Sequence, residues 1–151
     1  MPSEKYTLTL PLPTGVTPAD AIAALHSPLD VISLSPFAMQ SDEIPSADPE
    51  VVLYNVRDKV TVLPFGLWDT SIEVPLEFRN FDKGVRIVKT VPPIGLTILE
   101  EWTVDEEKVT LEAGLIANWV VMMGAGGMMR GKHGVYVDSL GKLLQERVGA
   151  K

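Results

Sequence analysis

Three polar residues of this chain stand where the local spacing otherwise places apolar side chains, and each is of a type that carries protons. Asp58 shares its parity with Val52, Tyr54, Val56 and Val60, and Glu100 falls between Ile98 and Trp102. A carboxyl group among aliphatic and aromatic neighbours keeps its proton to higher pH, as a general acid or base working near neutrality must. His133 lies on an apolar helical stripe, one turn from Met129 and Tyr136, where an imidazole can shuttle a proton. Each also has a structural reading. The carboxylates can mark a strand end, a bulge or an ion pair with Arg57, Arg86 or Lys89, and the histidine can be a core or rim residue bonded to a carbonyl. Asp58, Glu100 and His133 form the candidate catalytic set.

Other chemistry finds little support. His26 and His133 are far apart, with no His-x-Glu or His-x-x-x-His spacing, so neither a metal site nor a cofactor is expected. His26 ends a short helix, where it interacts well with the dipole. Gly124-Ala125-Gly126-Gly127 lacks the spacing of a phosphate-binding loop and reads as a flexible pocket mouth. No Gly-x-Ser-x-Gly elbow is present, and the absence of cysteine excludes thiolate chemistry and disulfides. Tyr54, Trp68, Trp102, Trp119, Met122, Met129 and Tyr136, with Met123 and Met128, are expected to line a pocket for a flat or greasy ligand. Plain core packing is the alternative for any one of them.

Elements to hold these residues can be read from the pattern. Tyr6 to Leu12 alternates as a strand, and Thr17 caps a helix over Pro18–Leu25 with Asp20 in its first turn. A second short helix follows over Leu29–Leu34, and residues 41–50 form a polar, proline-bearing loop. Strands are expected at Val51–Val62, Leu67–Arg79, Val85–Val91 and Leu96–Val104, and then at Lys108–Trp119. In the second of these, Trp68, Ile72, Val74, Leu76 and Phe78 share one parity, so one face is buried and one is wet. After Gly124 the period turns helical, with His133, Tyr136, Val137, Leu140, Leu143, Leu144 and Val148 on one stripe. A run of strands followed by a helix points to an α+β fold.

With 151 residues, 46% hydrophobic and 22% charged, the chain reads as one folded domain spanning 1–151. Its net charge of −7 and 13 scattered basic residues argue against nucleic acid, which needs a basic stripe. No leader pattern opens the sequence, and Ala117–Met123 is too short to span a bilayer. A soluble, cytoplasmic protein is expected. An exposed sheet edge would allow a homodimer.

The order of elements resembles the helix-grip fold of START-like and Bet v 1-like domains, the polyketide cyclase and lipid-transfer superfamily. More closely it resembles a fungal family of uncharacterised START-like domains. The residues carrying this are Ala24-Leu25-His26-Ser27, Leu34-Ser35-Pro36, Tyr54-Asn55-Val56-Arg57-Asp58-Lys59-Val60, Leu63-Pro64-Phe65-Gly66, Gly95-Leu96-Thr97-Ile98 and Trp102-Thr103-Val104. The similarity covers most of residues 6–147, and the glycines at 124–127 depart from it. It implies a curved antiparallel sheet wrapped on a long C-terminal helix around an internal cavity. It implies no fixed catalytic set, because function lives in the site.

Parity and resemblance together predict a cofactor-independent cyclase, isomerase or dehydratase acting on a hydrophobic intermediate such as a polyketide or terpenoid. The alternative is a non-catalytic binder or carrier of a lipid or sterol, which needs the pocket but no tuned acid. A third reading, an interaction module using the outer face of the sheet, gains if the cavity is small.

Overall fold

The computed structural model describes residues 3–61 and 69–149. Its elements run β1 (Ser3–Pro11), α1 (Pro18–Leu25), α2 (Pro28–Ile32), β2 (Ala38–Ile44), β3 (Val51–Thr61), β4 (Asp69–Phe81), β5 (Gly84–Val91), β6 (Leu96–Val104), β7 (Lys108–Ile116) and α3 (Trp119–Gly149). The strands form one antiparallel sheet in the order β1-β7-β6-β5-β4-β3-β2. α3 lies over β1 and β7, and α1 packs against β5, β6 and α3. This is the α+β helix-grip arrangement.

Local chemistry explains most boundaries. Thr17 and Asp20 form a reciprocal capping box at the start of α1, with Pro18 in the first turn. The β4–β5 hairpin turns on Asp82-Lys83, and Gly84 beyond it meets β6 closely: a Cβ there would lie 1.7 Å from the Trp102 carbonyl oxygen. His26 Nε2 lies 2.9 Å from the Phe81 carbonyl and 2.8 Å from that of Gly84, and so ties the end of α1 to this hairpin. In β6 the alternation is complete, with Leu96, Ile98, Glu100, Trp102 and Val104 all buried.

Three expectations need correction. β2 occupies residues 38–44, so its second half falls in the stretch 41–50 read as loop and its first half in residues given no element. It is a polar edge strand, mostly exposed and bonded on one side only, so apolar alternation could not reveal it. The last strand stops at Ile116, not Trp119. The Asn118 side chain accepts the Val121 N–H at 2.9 Å and starts α3, so the helical period takes over two residues before the alternation fades. Gly124, Gly126 and Gly127 therefore lie inside a 31-residue helix and not in a loop at a pocket mouth.

Candidate functional site

A row of directly opposed residues crosses the middle of the sheet: Phe78, Ile87, Glu100, Ala113 and Tyr6, on β4, β5, β6, β7 and β1. Ala113 carries only a methyl group, and His133 from α3 bridges above it between Tyr6 and Glu100. The Tyr6 hydroxyl donates to His133 Nδ1, and His133 Nε2 donates to Glu100 Oε2 at 3.2 Å. One tautomer, with the hydrogen on Nε2, satisfies both contacts. Lys89 Nζ lies 2.6 Å from the same Oε2, and Trp102 Nε1 donates to Oε1 at 3.1 Å. Among the described residues no buried side-chain nitrogen or oxygen is left without a partner, as expected of a network that survives in a dry interior.

The charges of this network hold each other in place. Burial pushes the Glu100 carboxyl up, but the Lys89 ammonium and the His133 hydrogen bond outweigh it and hold the group down at about 2. Burial likewise pushes Lys89 down, and the attraction of Glu100 more than restores it, leaving the amine above its ordinary value. The pair is thus ionised. Burial, and next the Glu100 charge, raise the Tyr6 hydroxyl strongly, and burial raises that of Tyr136, so both remain hydrogen-bond donors.

Beside the network lies a chamber whose polar walls are Ser35, Asp58, Lys89, Glu100 and Tyr136 and whose apolar walls include Ile32, Leu76, Phe78 and Trp102. It encloses about 30 Å³, enough for one or two waters. Asp58 faces it from β3. Burial raises the Asp58 carboxyl against the pull of Lys89 and Lys132, leaving it above the ordinary aspartate range. Burial, and then repulsion from Lys89, lower Lys132, and its Nζ lies 4.8 Å above the Phe37 ring.

The structure therefore brings Asp58 and Glu100 to one chamber and sets His133 behind Glu100, fully buried and not on the wall. The proton-carrying role expected of Glu100 does not fit its surroundings: both oxygens are taken and the group stays charged. The ion pair with Lys89, the structural alternative, is what forms. Of the expected lining, Trp102 and Tyr136 are on the wall. Tyr54 is buried edge-on to Phe78 with its hydroxyl donating to Glu43, away from the chamber. Met129 is packed into the core and Met122 lies partly buried against it, neither on the wall. Trp119, 73% exposed on the first turn of α3, faces solvent and not a ligand. Trp68 lies outside the described residues.

Two members of the network are not singled out as site residues by the sequence, where Lys89 enters only as an ion-pair partner. Lys89 shares the parity of Val85, Ile87 and Val91, so the test that singled out Asp58 and Glu100 would have found it. Tyr6 gives no comparable signal, because its neighbours Leu8 and Leu10 predict an ordinary core face. Among the described residues no group of three His, Asp or Glu is placed to hold a metal ion, and no helix is long and apolar enough to cross a membrane.

Solved structures share this architecture at low identity. The Zhui aromatase/cyclase from Streptomyces superposes with a TM-score of 0.74 at 8% identity, over 97% of this chain and 96% of that one. A norcoclaurine synthase point mutant from Thalictrum, in complex with a transition-state analogue, gives 0.65 at 11% identity, over 97% and 96%. The di-domain ARO/CYC BexL gives 0.65 at 11%, over 93% of this chain; this chain spans about half of that protein's length, 49%. Identities this low establish the Bet v 1-like helix-grip fold and no activity. No curated protein sequence matches the chain. A family profile does, over residues 1–148, and the chain belongs to that family, the domain of unknown function DUF7053.

Proposed function

We propose that the chain is a cofactor-independent acid–base enzyme for a hydrophobic carbonyl compound, a cyclase, isomerase or dehydratase in type. The observation that supports this is the convergence of Asp58, Lys89 and Tyr136 on one chamber walled mainly by apolar side chains. Asp58 is the proton carrier: it faces the chamber, and burial raises its carboxyl above the ordinary aspartate range. In the isomerisation of a β,γ-unsaturated ketone, the Asp58 carboxylate removes a proton from the carbon between the carbonyl and the double bond, giving a dienolate that is reprotonated at its far carbon. Lys89 and Tyr136 donate to the oxygen as it gains charge, and Asp58 returns the proton to that far carbon. Glu100, with His133, Trp102 and Tyr6 behind it, is a positioning residue that keeps Lys89 charged and aimed. The structural aromatase/cyclase and norcoclaurine synthase relatives lend the reading support by fold analogy alone.

The complete internal pairing of the network favours a second reading, in which the charges are structural and the chamber merely binds. Exchange of the α-hydrogens of phenylacetone in deuterated water separates the two. The wild type should accelerate it, and Asp58→Asn should lose about 100-fold or more of that acceleration while still binding the ketone. Binding without acceleration supports the carrier; absence of binding removes both readings.

A further inference from the structure

The chamber has free space of about 30 Å³, so a ligand with its head there must extend beyond it, and part of its wall is shared with a second hollow. Ile32, Ser35 and Ala38 line the chamber on one side and a second hollow, open to solvent and of about 510 Å³, on the other. That outer hollow carries Leu29 and Met39, which are 57% and 62% exposed. The elements between the two spaces are a short helix, tied to α3 through Asp30 and Arg147, and an edge strand. α2 is five residues long, and its N-cap Ser27 makes no side-chain capping bond. β2 is an edge strand paired only with β3, and its register slips by one residue between Ala38 and Gln40. This bulge sits where Ala38 opposes Asp58, and Met39 is the extra residue beside it.

We infer that the outer hollow is a second binding subsite, which takes the apolar tail of the molecule whose carbonyl head lies at Asp58 and Lys89, the two spaces joining when β2 and α2 part at Ala38. The inference rests on the chamber reading above and specifies its ligand: an elongated amphiphile, polar at one end. Head and tail then have matching surroundings. The chamber offers two cations, Lys89 with Lys132 beyond it, and hydroxyl donors, while the hollow offers an apolar side formed by Leu29, Met39, Pro36 and Ile32, with Ser33, Gln40 and Ser41 beside it. Two of the three shared wall residues, Ser35 and Ala38, have small side chains, so little bulk has to move for the spaces to join. Continuity through this shared wall identifies the occupant as the same small molecule and not a separate partner.

Alkyl phenyl ketones from acetophenone to octanophenone, titrated by calorimetry into the full chain, test this. Once the chamber is filled, each further methylene should tighten binding about two- to fourfold in the wild type, as expected for apolar burial. The double variant Leu29→Glu/Met39→Glu changes only exposed side chains and should flatten that dependence while leaving acetophenone binding within twofold. Ala38→Trp, its fold checked by circular dichroism, should abolish binding of the whole series. An unchanged chain-length dependence in the double variant overturns the second subsite alone. Failure of every ketone to bind the wild type overturns the chamber reading and the subsite together.

Discussion

Replacing Glu100 by glutamine preserves shape, removes one charge and turns one accepting oxygen into a donor, so it breaks the ion pair of the buried network together with one of its hydrogen bonds. The Glu100 side chain is 1% exposed and that of Lys89 15%, so solvent screens this pair little. Removing one member of such a pair strands the other, at a cost of about 3–5 kcal/mol. The shift of the carboxyl from an ordinary 4.5 to about 2 leads to the same size independently, about 3 kcal/mol at 1.36 kcal/mol per tenfold change in proton affinity. For a domain of this length that corresponds to a fall in Tm of about 6–12 °C. The pH dependence follows from the signs. The folded protein binds the Glu100 proton less tightly than the unfolded chain, so this stabilisation is complete above the ordinary 4.5 and disappears as pH falls towards 2. Lys89 is raised, so its contribution is complete below the ordinary 10.5 and is lost as pH climbs through the folded value. Urea denaturation of wild type and Glu100→Gln across pH 2 to 8 reads both effects. The two proteins should differ by about 3 kcal/mol at pH 7 and converge near pH 2. A gap below about 1 kcal/mol at pH 7, or one that stays constant down to pH 2, would refute the argument. Adding Lys89→Met to Glu100→Gln should recover part of the loss, because no charge is then stranded.

Asp58→Asn should behave oppositely. Its raised carboxyl is a burden to the folded state at neutral pH that is relieved on acidification towards the ordinary 3.8, so thermal melts should show the variant as stable as wild type or more so at pH 7, with the advantage vanishing below pH 4. Tyr6→Phe removes the donor to His133 Nδ1 and leaves a buried acceptor unpaired, a loss of about 1–3 kcal/mol measurable by denaturant titration. Gly84→Ala drives a methyl group into the Trp102 carbonyl and should destabilise by about 3 kcal/mol or prevent folding, seen as loss of soluble yield or a broadened amide spectrum.

What could be read before any coordinates depended on contrast. The hydrophobic alternation of β4 and β6 and the stripe of α3 stand out because one face of each is buried, and α1 announces itself through Thr17, Pro18 and Asp20. β2 carries no such contrast, because both of its faces are largely wet. Asp58 and Glu100 were legible as polar residues at buried parity. Their roles were not, since parity says that a side chain points inward and nothing about what meets it. The partner that decides the state of Glu100, Lys89, comes from the neighbouring strand through a register that one sequence does not display. Trp119 shows the converse error: it keeps the parity of β7, but a cap at Asn118 had already changed the geometry.

The contact between Tyr6 and His133 joins residues 127 apart in sequence. Strands β5 and β6 therefore present Lys89 and Glu100 well before the helix that roofs them can arrive, and until it does those charges keep their water. Docking of α3 and pairing of β1 must strip that hydration and supply the replacement hydrogen bonds in the same event, since either alone leaves an uncompensated ion. The inner face of the sheet should consequently dry in one late, slow step of assembly, governed by the most distant contacts in the chain.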